Sequence, residues 1–203
     1  MGRKRAFSQE EALQTSIRLF CDRGYAATST EQLCSELGIG KQSLYNAFGD
    51  KEGLFLMALE SYVAASAHVL STALATPGPA LAGIRLALLA FAERAARQGT
   101  AGCMAINAIN EFGERNAGLN ALLAQLRDAQ RGAVMAALQR AIASGEMAPD
   151  TNLEVAADFF DCTLTGIKMA AKAGMQLPEL SAMATFASQA FIAPNYAPPG
   201  RPQ

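Results

Sequence analysis

Apolar residues recur every three or four positions along most of the chain, which is the spacing of amphipathic α-helices. Near the N-terminus, Leu13, Ile17 and Phe20 fall on one helical face. The preceding Ser8-Gln9-Glu10-Glu11 has the S-x-x-E form of a capping box, and Gly24 follows where a helix C-terminus favours glycine. This pattern predicts a first helix between Ser8 and Gly24.

Two short helices are predicted next, joined by a glycine turn. Residues 28–32 read Thr-Ser-Thr-Glu-Gln and offer two overlapping capping boxes for a second helix. Gly38-Ile39-Gly40 is a tight turn with one apolar residue, and a third helix over about 41–48 places Leu44 and Phe48 on one face. A capped helix, a short glycine turn and a second helix form the pattern of a helix-turn-helix.

Longer helices are predicted for the remainder, because the apolar spacing persists between breaks rich in glycine and proline. No stretch alternates apolar and polar β-branched residues, so the sequence predicts an all-α protein. We expect three parts: a three-helix head over 1–50, a helical bundle over 51–193 and a flexible tail over 194–203. The bundle helices are predicted after Asp50 and over about 80–98, 103–115, 119–144, 152–173 and 179–192.

The third helix has a polar outward face that suits double-stranded DNA. A major groove admits one α-helix, whose exposed side chains then reach the edges of the bases. The predicted base-contacting face consists of Lys41, Gln42, Ser43, Tyr45 and Asn46. Hydroxyls and amides at a helix start, and nearby basic side chains, suit phosphates. The predicted phosphate contacts are Arg3, Lys4, Arg5, Thr28, Ser29, Thr30 and Lys51.

Overall charge neither favours nor excludes a nucleic-acid partner. The 203 residues carry a net charge of −1, and residues 1–51 hold seven basic and six acidic side chains. Because the positions of the charges matter more than their total, DNA binding depends on the residues of the head. No uninterrupted apolar run reaches the ~18–20 residues that span a bilayer, and no signal peptide is evident. We therefore expect a cytoplasmic protein without a membrane partner.

The residue inventory disfavours a metal site, a cofactor and catalysis. Four cysteines are scattered without a CxxC pair, and the single histidine, His68, is distant from them in sequence. We find no constellation of nucleophile and base, so no catalytic residue is assigned and an enzyme is not expected. The alternative from a different class is a helical adaptor without DNA binding, which would not need the polar face over 41–46.

Residues 30–55 closely resemble the signature of the TetR family of transcriptional regulators. Gly38-Ile39 lies at that family's turn, and Leu44-Tyr45-x-x-Phe48-x-x-Lys51 matches its hallmark. Leu19-Phe20-x-x-x-Gly24-Tyr25-x-x-Thr28 matches its first-helix exit, so the resemblance covers about residues 7–62. Further on, Gly102-Cys103-Met104-x-x-Asn107-x-x-x-Glu111 is similar to the start of helix 6 in one branch.

The resemblance implies a homodimer that binds a palindromic operator through its heads, most often as a repressor. It also implies a C-terminal bundle that binds a small-molecule inducer and dimerises through its last two helices. Helices rich in Ala, Leu and Met fit an apolar effector pocket, and they fit a solidly packed bundle equally well. The candidate ligand-binding residues are Phe91, Cys103, Met104, Asn107, Met135, Phe159 and Cys162. The candidate dimer residues are Phe160, Thr163, Ile167, Ala171, Met183, Phe186 and Phe191.

Cys103 supports an alternative signal. It follows Gly102 at a predicted helix N-terminus, where the helix dipole favours a reactive thiolate. A regulator that senses electrophiles or oxidants through Cys103 is therefore a second hypothesis. A small cysteine that simply packs beside glycine is the other interpretation.

Overall fold

A computed structural model describes residues 8–192, and these residues form an all-α structure, as predicted. Arg3, Lys4 and Arg5, together with the predicted tail over 194–203, lie outside the described residues. The described helices are α1 Gln9–Arg23, α2 Thr30–Leu37, α3 Lys41–Phe48, α4 Lys51–Leu74, α5 Ala80–Gln98, α6 Met104–Phe112, α7 Ala117–Ala143, α8 Leu153–Lys172 and α9 Leu177–Gln189.

Local capping sets the helix boundaries in the head. The Ser8 side chain accepts a hydrogen bond from the amide of Glu11 at the start of α1. At the start of α2, Ser29 and Gln32 form a reciprocal capping box, in which each side chain bonds the other residue's amide. Between α2 and α3, Gly38 lies in the left-handed region at φ +65°, a conformation that glycine adopts without steric cost.

The sixth helix is shorter than predicted. The apolar pattern predicted one helix over 103–115, but α6 ends at Phe112 and a 3-10 turn follows over Gly113–Arg115. Gly113 has φ +54°, which ends the α-helical hydrogen-bonding pattern.

The structure packs into two compact units that do not follow the chain order. The N-terminal unit combines the described residues up to Ser66 with Thr100–Ala124, and the C-terminal unit combines Ala67–Gly99 with the residues from Gln125 onward. The N-terminal unit thus contains a segment from the middle of the chain, which a boundary at residue 50 does not include.

The core of the N-terminal unit joins the three head helices to the start of α4 and to α6. Phe20 of α1 meets Phe55 of α4 edge to face, with ring centroids 5.0 Å apart. Leu33 of α2, Leu44 of α3 and Met104 of α6 are fully buried in the same cluster. Burial of these apolar side chains is the main force that holds the short helices α2 and α3 in place, because helices of eight residues are not stable alone.

By length and composition, α4 is the one helix of the described region that could cross a membrane. Many of its large apolar side chains are packed within the two units. Leu54, Phe55 and Leu59 belong to the core of the N-terminal unit, whereas Leu70 and Leu74 belong to the core of the C-terminal unit. The expectation of no membrane partner stays a prediction.

A buried carboxylate, that of Glu146, caps the N-terminus of α5 in the C-terminal unit. The N-cap of this helix is Pro79, whose side chain caps nothing, and Glu146 supplies the missing acceptors. Its two carboxylate oxygens accept from the amides of Ala80 and Leu81, each at 2.9 Å, and the Ser144 hydroxyl donates to it at 2.6 Å. Burial raises the pKa of this carboxyl, but the hydrogen bonds from Ser144, Leu81 and Ala80 outweigh it, so the pKa lies below the usual 4.5.

We predict that Glu146→Gln lowers the free energy of unfolding by about 1–3 kcal/mol, because one buried amide then loses its acceptor. Urea denaturation at pH 7 measures this loss. The carboxylate contributes stability above pH 4.5 and loses it as the pH falls through its lowered folded-state pKa. The difference between wild type and variant therefore shrinks in acid. Glu93→Gln is the control, because Glu93 makes only an exposed ion pair with Arg97, and an equal loss in both variants would contradict the assignment.

Candidate nucleic-acid interface

The turn between α2 and α3 fixes which side of α3 faces outward. The amide of Ile39 donates to the Cys34 carbonyl at 3.0 Å, and the amide of Gly38 donates to Ser35, so the end of α2 is closed by the turn itself. Leu44 and Phe48 of α3 are then buried, as predicted. The opposite side of α3 is left to solvent.

All five residues of the predicted base-contacting face are exposed. Tyr45 is 44% exposed, although its ring is apolar. The Gln42 amide donates to the Asn46 side-chain oxygen at 3.0 Å, one helical turn away. The face of α3 thus displays hydrogen-bonding groups along its length, namely Lys41, Gln42, Ser43, Tyr45 and Asn46.

Lys41 is paired across the helix-turn-helix. Its ammonium lies 2.5 Å from a carboxylate oxygen of Glu31, near the start of α2. This hydrogen bond lowers the pKa of Glu31 to about 2 and raises that of Lys41. The acidic side chain of Glu31 therefore lies on the protein surface beside Lys41, where it would repel a DNA phosphate that approaches Lys41.

The predicted phosphate seat at the start of α2 is only partly available. Ser29 and Thr30 are half-buried, and the Ser29 hydroxyl caps the helix. Thr28 is fully buried, and its hydroxyl donates to the Gly24 carbonyl at 2.7 Å. Its side chain packs inside the N-terminal unit and has no surface to offer a phosphate, so Thr28 is corrected to a structural residue.

Lys51 is also turned inward. Its ammonium donates to the Tyr25 carbonyl at 2.8 Å and lies 4.0 Å from the centre of the Tyr25 ring. Burial lowers the pKa of this lysine, while the charge of Glu111 raises it. The structure therefore gives Lys51 a partner within the chain instead of a free approach to DNA.

Two side chains of α6 bind the connection between α1 and α2. The carboxylate of Glu111 accepts from the amides of Tyr25 and Ala26 at 2.9 and 2.7 Å. The side-chain amide of Asn107 donates to the Cys21 carbonyl at 3.0 Å. A buried asparagine that caps a nearby carbonyl is an alternative the sequence leaves open for Asn107, and the structure has that bond, but the sequence does not indicate that the partners of Asn107 and Glu111 lie at the end of α1.

The candidate ligand-binding residues are divided between the two units. Cys103, Met104 and Asn107 belong to the N-terminal unit, where Cys103 is the N-cap of α6 and only 3% exposed. Its burial disfavours direct attack of a reagent on the sulfur. In the C-terminal unit Phe91 is buried and Met135 half-buried, whereas Phe159 and Cys162 are exposed on α8.

Four of the predicted dimer residues are core residues of their own chain. The C-terminal unit buries Phe160, Ile167 and Ala171 of α8, together with Phe191. This corrects their assignment, because side chains that are at most 5% exposed offer little surface to a second copy. Of the remaining three, Thr163 is half-buried, whereas Met183 and Phe186 are exposed.

The outward face of α8 is apolar as well. Val155, Phe159 and Met169 are 61%, 41% and 46% exposed, and they lie on one side of the helix with Cys162 and Gly166. Of these residues, Phe159 also contacts the Phe191 ring, with ring centroids 5.5 Å apart. Among the described residues no cluster of His, Cys, Asp or Glu is arranged to hold a metal ion.

A tight helix-turn-helix with an exposed polar recognition helix, attached to a larger helical unit, defines a DNA-binding transcriptional regulator of the helix-turn-helix class. Residues 12–58 match the family model for bacterial regulatory proteins of the tetR family. Residues 79–185 match the model for the tetracyclin repressor-like C-terminal domain. The chain belongs to the TetR family.

Individual relatives agree with this assignment. The HTH-type transcriptional repressor BdcR of Escherichia coli is 28% identical over 194 residues, which cover 93% of this chain and 91% of BdcR. The HTH-type regulator YezE of Bacillus subtilis is 39% identical over 85 residues, or 42% of this chain and 44% of YezE. A cysteine mutant of the TetR family regulator CifR, solved with 26-bp double-strand operator DNA, is 31% identical and superimposes with a TM-score of 0.81 over 94% of this chain and all of CifR.

We predict that Glu31→Gln strengthens binding to non-specific duplex DNA, because it removes a negative charge beside Lys41. The freed ammonium adds up to one phosphate contact, which steepens the plot of log affinity against log salt by at most about 0.9. Fluorescence anisotropy over a salt series measures both quantities. Glu60→Gln, an equal charge change at an exposed position of α4, is the control, and equal effects of the two variants would show that Lys41 is not involved.

Proposed function

We propose that this TetR-family protein is a repressor that binds a palindromic operator as a homodimer in the cytoplasm. A small, largely apolar molecule binds the C-terminal part and lowers the affinity for the operator. The exposed polar face of α3 carries the DNA-binding part of the proposal. The naming of BdcR as a repressor and the operator complex of CifR support the same function.

The recognition role of α3 follows from its side chains. Gln42 and Asn46 carry amide groups, and such an amide can bond N6 and N7 on the major-groove edge of one adenine. Ser43 and Tyr45 add hydroxyl groups between them, and Lys41 adds an ammonium at the start of the helix. Because Leu44 and Phe48 hold the other side of α3 in the core, these groups face a groove without rearrangement of the helix.

The outward faces of α8 and α9 support the homodimer. Along α8, Val155, Phe159, Cys162, Gly166 and Met169 follow one another at intervals of four and three residues, the spacing of a helix–helix seam. Beside Gly166 a Cβ atom would meet nothing within 4 Å, so a neighbouring helix can approach closely there. On α9, Phe186 is 79% exposed and Met183 is 38% exposed. Exposed large apolar side chains at this density are typical of a contact with another chain.

Symmetry gives the dimer its function. A palindromic operator presents two identical half-sites related by a two-fold axis, and a two-fold homodimer presents two α3 helices in the same relation. One head alone would make half of the contacts and lose the discrimination that the second half-site provides.

We predict that Gln42→Ala and Tyr45→Ala each weaken operator binding by about 1–3 kcal/mol, because each removes groups that contact bases. Both side chains are exposed, so thermal unfolding should remain unchanged. Electrophoretic mobility shift with an operator selected from random duplexes measures the loss, with Gln14→Ala on the exposed face of α1 as control. Full affinity in both variants would show that α3 does not read the bases.

We also predict that Phe186→Glu produces a monomer, because it places two charges in the proposed seam of the dimer. Multi-angle light scattering should report twice the chain mass of 21.3 kDa for wild type and a single chain mass for the variant. Leu86→Glu is the control, since Leu86 is an exposed apolar residue on α5, outside the seam. A dimeric Phe186→Glu variant would rule out this face as the interface.

A further inference from the structure

The connection between α1 and α2 is bound by side chains from elsewhere in the N-terminal unit. The chain leaves α1 at Gly24 with φ +79°, which turns the amides of Tyr25 and Ala26 toward α6. There the two oxygens of Glu111 accept one hydrogen bond from each amide. One helical turn earlier on α6, Asn107 donates to the Cys21 carbonyl in the last turn of α1.

These contacts involve the polar groups that a helix end leaves unpaired. The last carbonyls of α1 and the amides of the following turn have no partners within the helix. A carboxylate that accepts two amides forms charge-assisted bonds, which are roughly twice as strong as neutral ones. Glu111 and Asn107 therefore bind α6 to the end of α1 through both donors and acceptors.

Tyr25 is held through its backbone amide, its backbone carbonyl and its ring. Its amide donates to Glu111, its carbonyl accepts from the ammonium of Lys51 at 2.8 Å, and its ring packs against Phe55 and Phe112 at 5.0 and 4.8 Å. The fit is close, because a Cβ atom at Gly24 would lie only 2.1 Å from Glu111 Oε1. We call the contacts that Asn107 and Glu111 make with the end of α1 and the turn after it the α6 latch.

The α6 latch acts on the segment that leads into the recognition helices. The turn continues through buried Thr28 to Ser29, the N-cap of α2, and α2 leads through Gly38 to α3. The Thr28 hydroxyl stiffens the turn by its bond to Gly24. Since the turn is short and Thr28 bonds the carbonyls of both Gly24 and Tyr25, the position of the turn determines where α2 begins.

We propose that Asn107 and Glu111 are positioning residues for DNA binding: they fix the direction in which α2 and α3 are presented. The spacing of half-sites that the homodimer accepts therefore depends on them. This inference rests on the proposed function, because it requires a dimer that binds paired half-sites.

A purely structural role would have a different effect. If the α6 latch only stabilised the fold, its loss would reduce the fraction of active protein and weaken binding to every DNA by the same factor. If it sets the position of the heads, its loss frees them to reach half-sites at other spacings. The ratio of two affinities separates these cases, because the active fraction cancels from it.

The experiment uses the full chain and three duplexes. One carries the palindrome selected by the wild-type protein from a random pool, and the other two have one base pair added or removed between the half-sites. The variants are Glu111→Gln, which is isosteric but loses the charge and one acceptor, and Asn107→Ala. The matched controls are Glu60→Gln and Asn110→Ala, both at exposed positions.

We expect Glu111→Gln and Asn107→Ala to weaken binding to the selected palindrome by about tenfold, or roughly 1.4 kcal/mol. Their affinity for the altered spacings should fall less or rise, so that the ratio between spacings moves toward one. The controls should keep the wild-type ratio. Thermal unfolding identifies any variant that does not fold, and Glu111→Asp, which keeps the charge on a shorter side chain, then replaces Glu111→Gln in the same measurement.

An unchanged ratio in the latch variants overturns this inference, whether or not their affinities fall together. A wild-type protein that selects no DNA sequence, or selects an unpaired half-site, overturns the proposed function and this inference with it. The wild-type selection therefore distinguishes the two failures before any variant is compared.

Discussion

The backbone that leaves α1 at Gly24 exposes amides that its own helix cannot satisfy, and the carboxylate of Glu111 satisfies two of them. The arrangement of the N-terminal unit depends on these two hydrogen bonds, whose partners are 86 and 85 positions apart in the sequence. It brings α6 against the head and places Tyr25 between Phe55 and Phe112. Because the same turn begins α2, one electrostatic contact reaches both the core and the DNA-binding surface.

The parts of the head that sequence reasoning predicted are those that local chemistry determines. The capping side chains of Ser8 and Ser29, the left-handed Gly38 and the four-residue interval between Leu44 and Phe48 all act within a few residues. Together they fix the helices and their buried faces, whatever the remainder of the chain does. The exposed face of α3 follows directly, since it is the side opposite the core.

Sequence reasoning failed where a polar side chain has its partner within the chain. Thr28 and Lys51 both resemble phosphate contacts in sequence, yet they bond the carbonyls of Gly24 and Tyr25. No spacing rule reveals this, because the acceptors are backbone groups brought close by the turn. Four of the predicted dimer residues are buried for another reason: α8 is apolar on two sides, and only packing shows that its Phe160 side faces the core while its Phe159 side is exposed.

The composition of the N-terminal unit has a consequence for recombination between regulators. A chimaera that joins the first 66 residues of this chain to the body of a relative inherits the amides of Tyr25 and Ala26 without their acceptor. Unless the relative carries an asparagine and a glutamate at the positions of its sixth helix that correspond to Asn107 and Glu111, the transplanted head loses these hydrogen bonds. The compact unit is therefore discontinuous in sequence, and under the proposed role of the α6 latch the exchangeable module includes the residues around 107–111 together with the head.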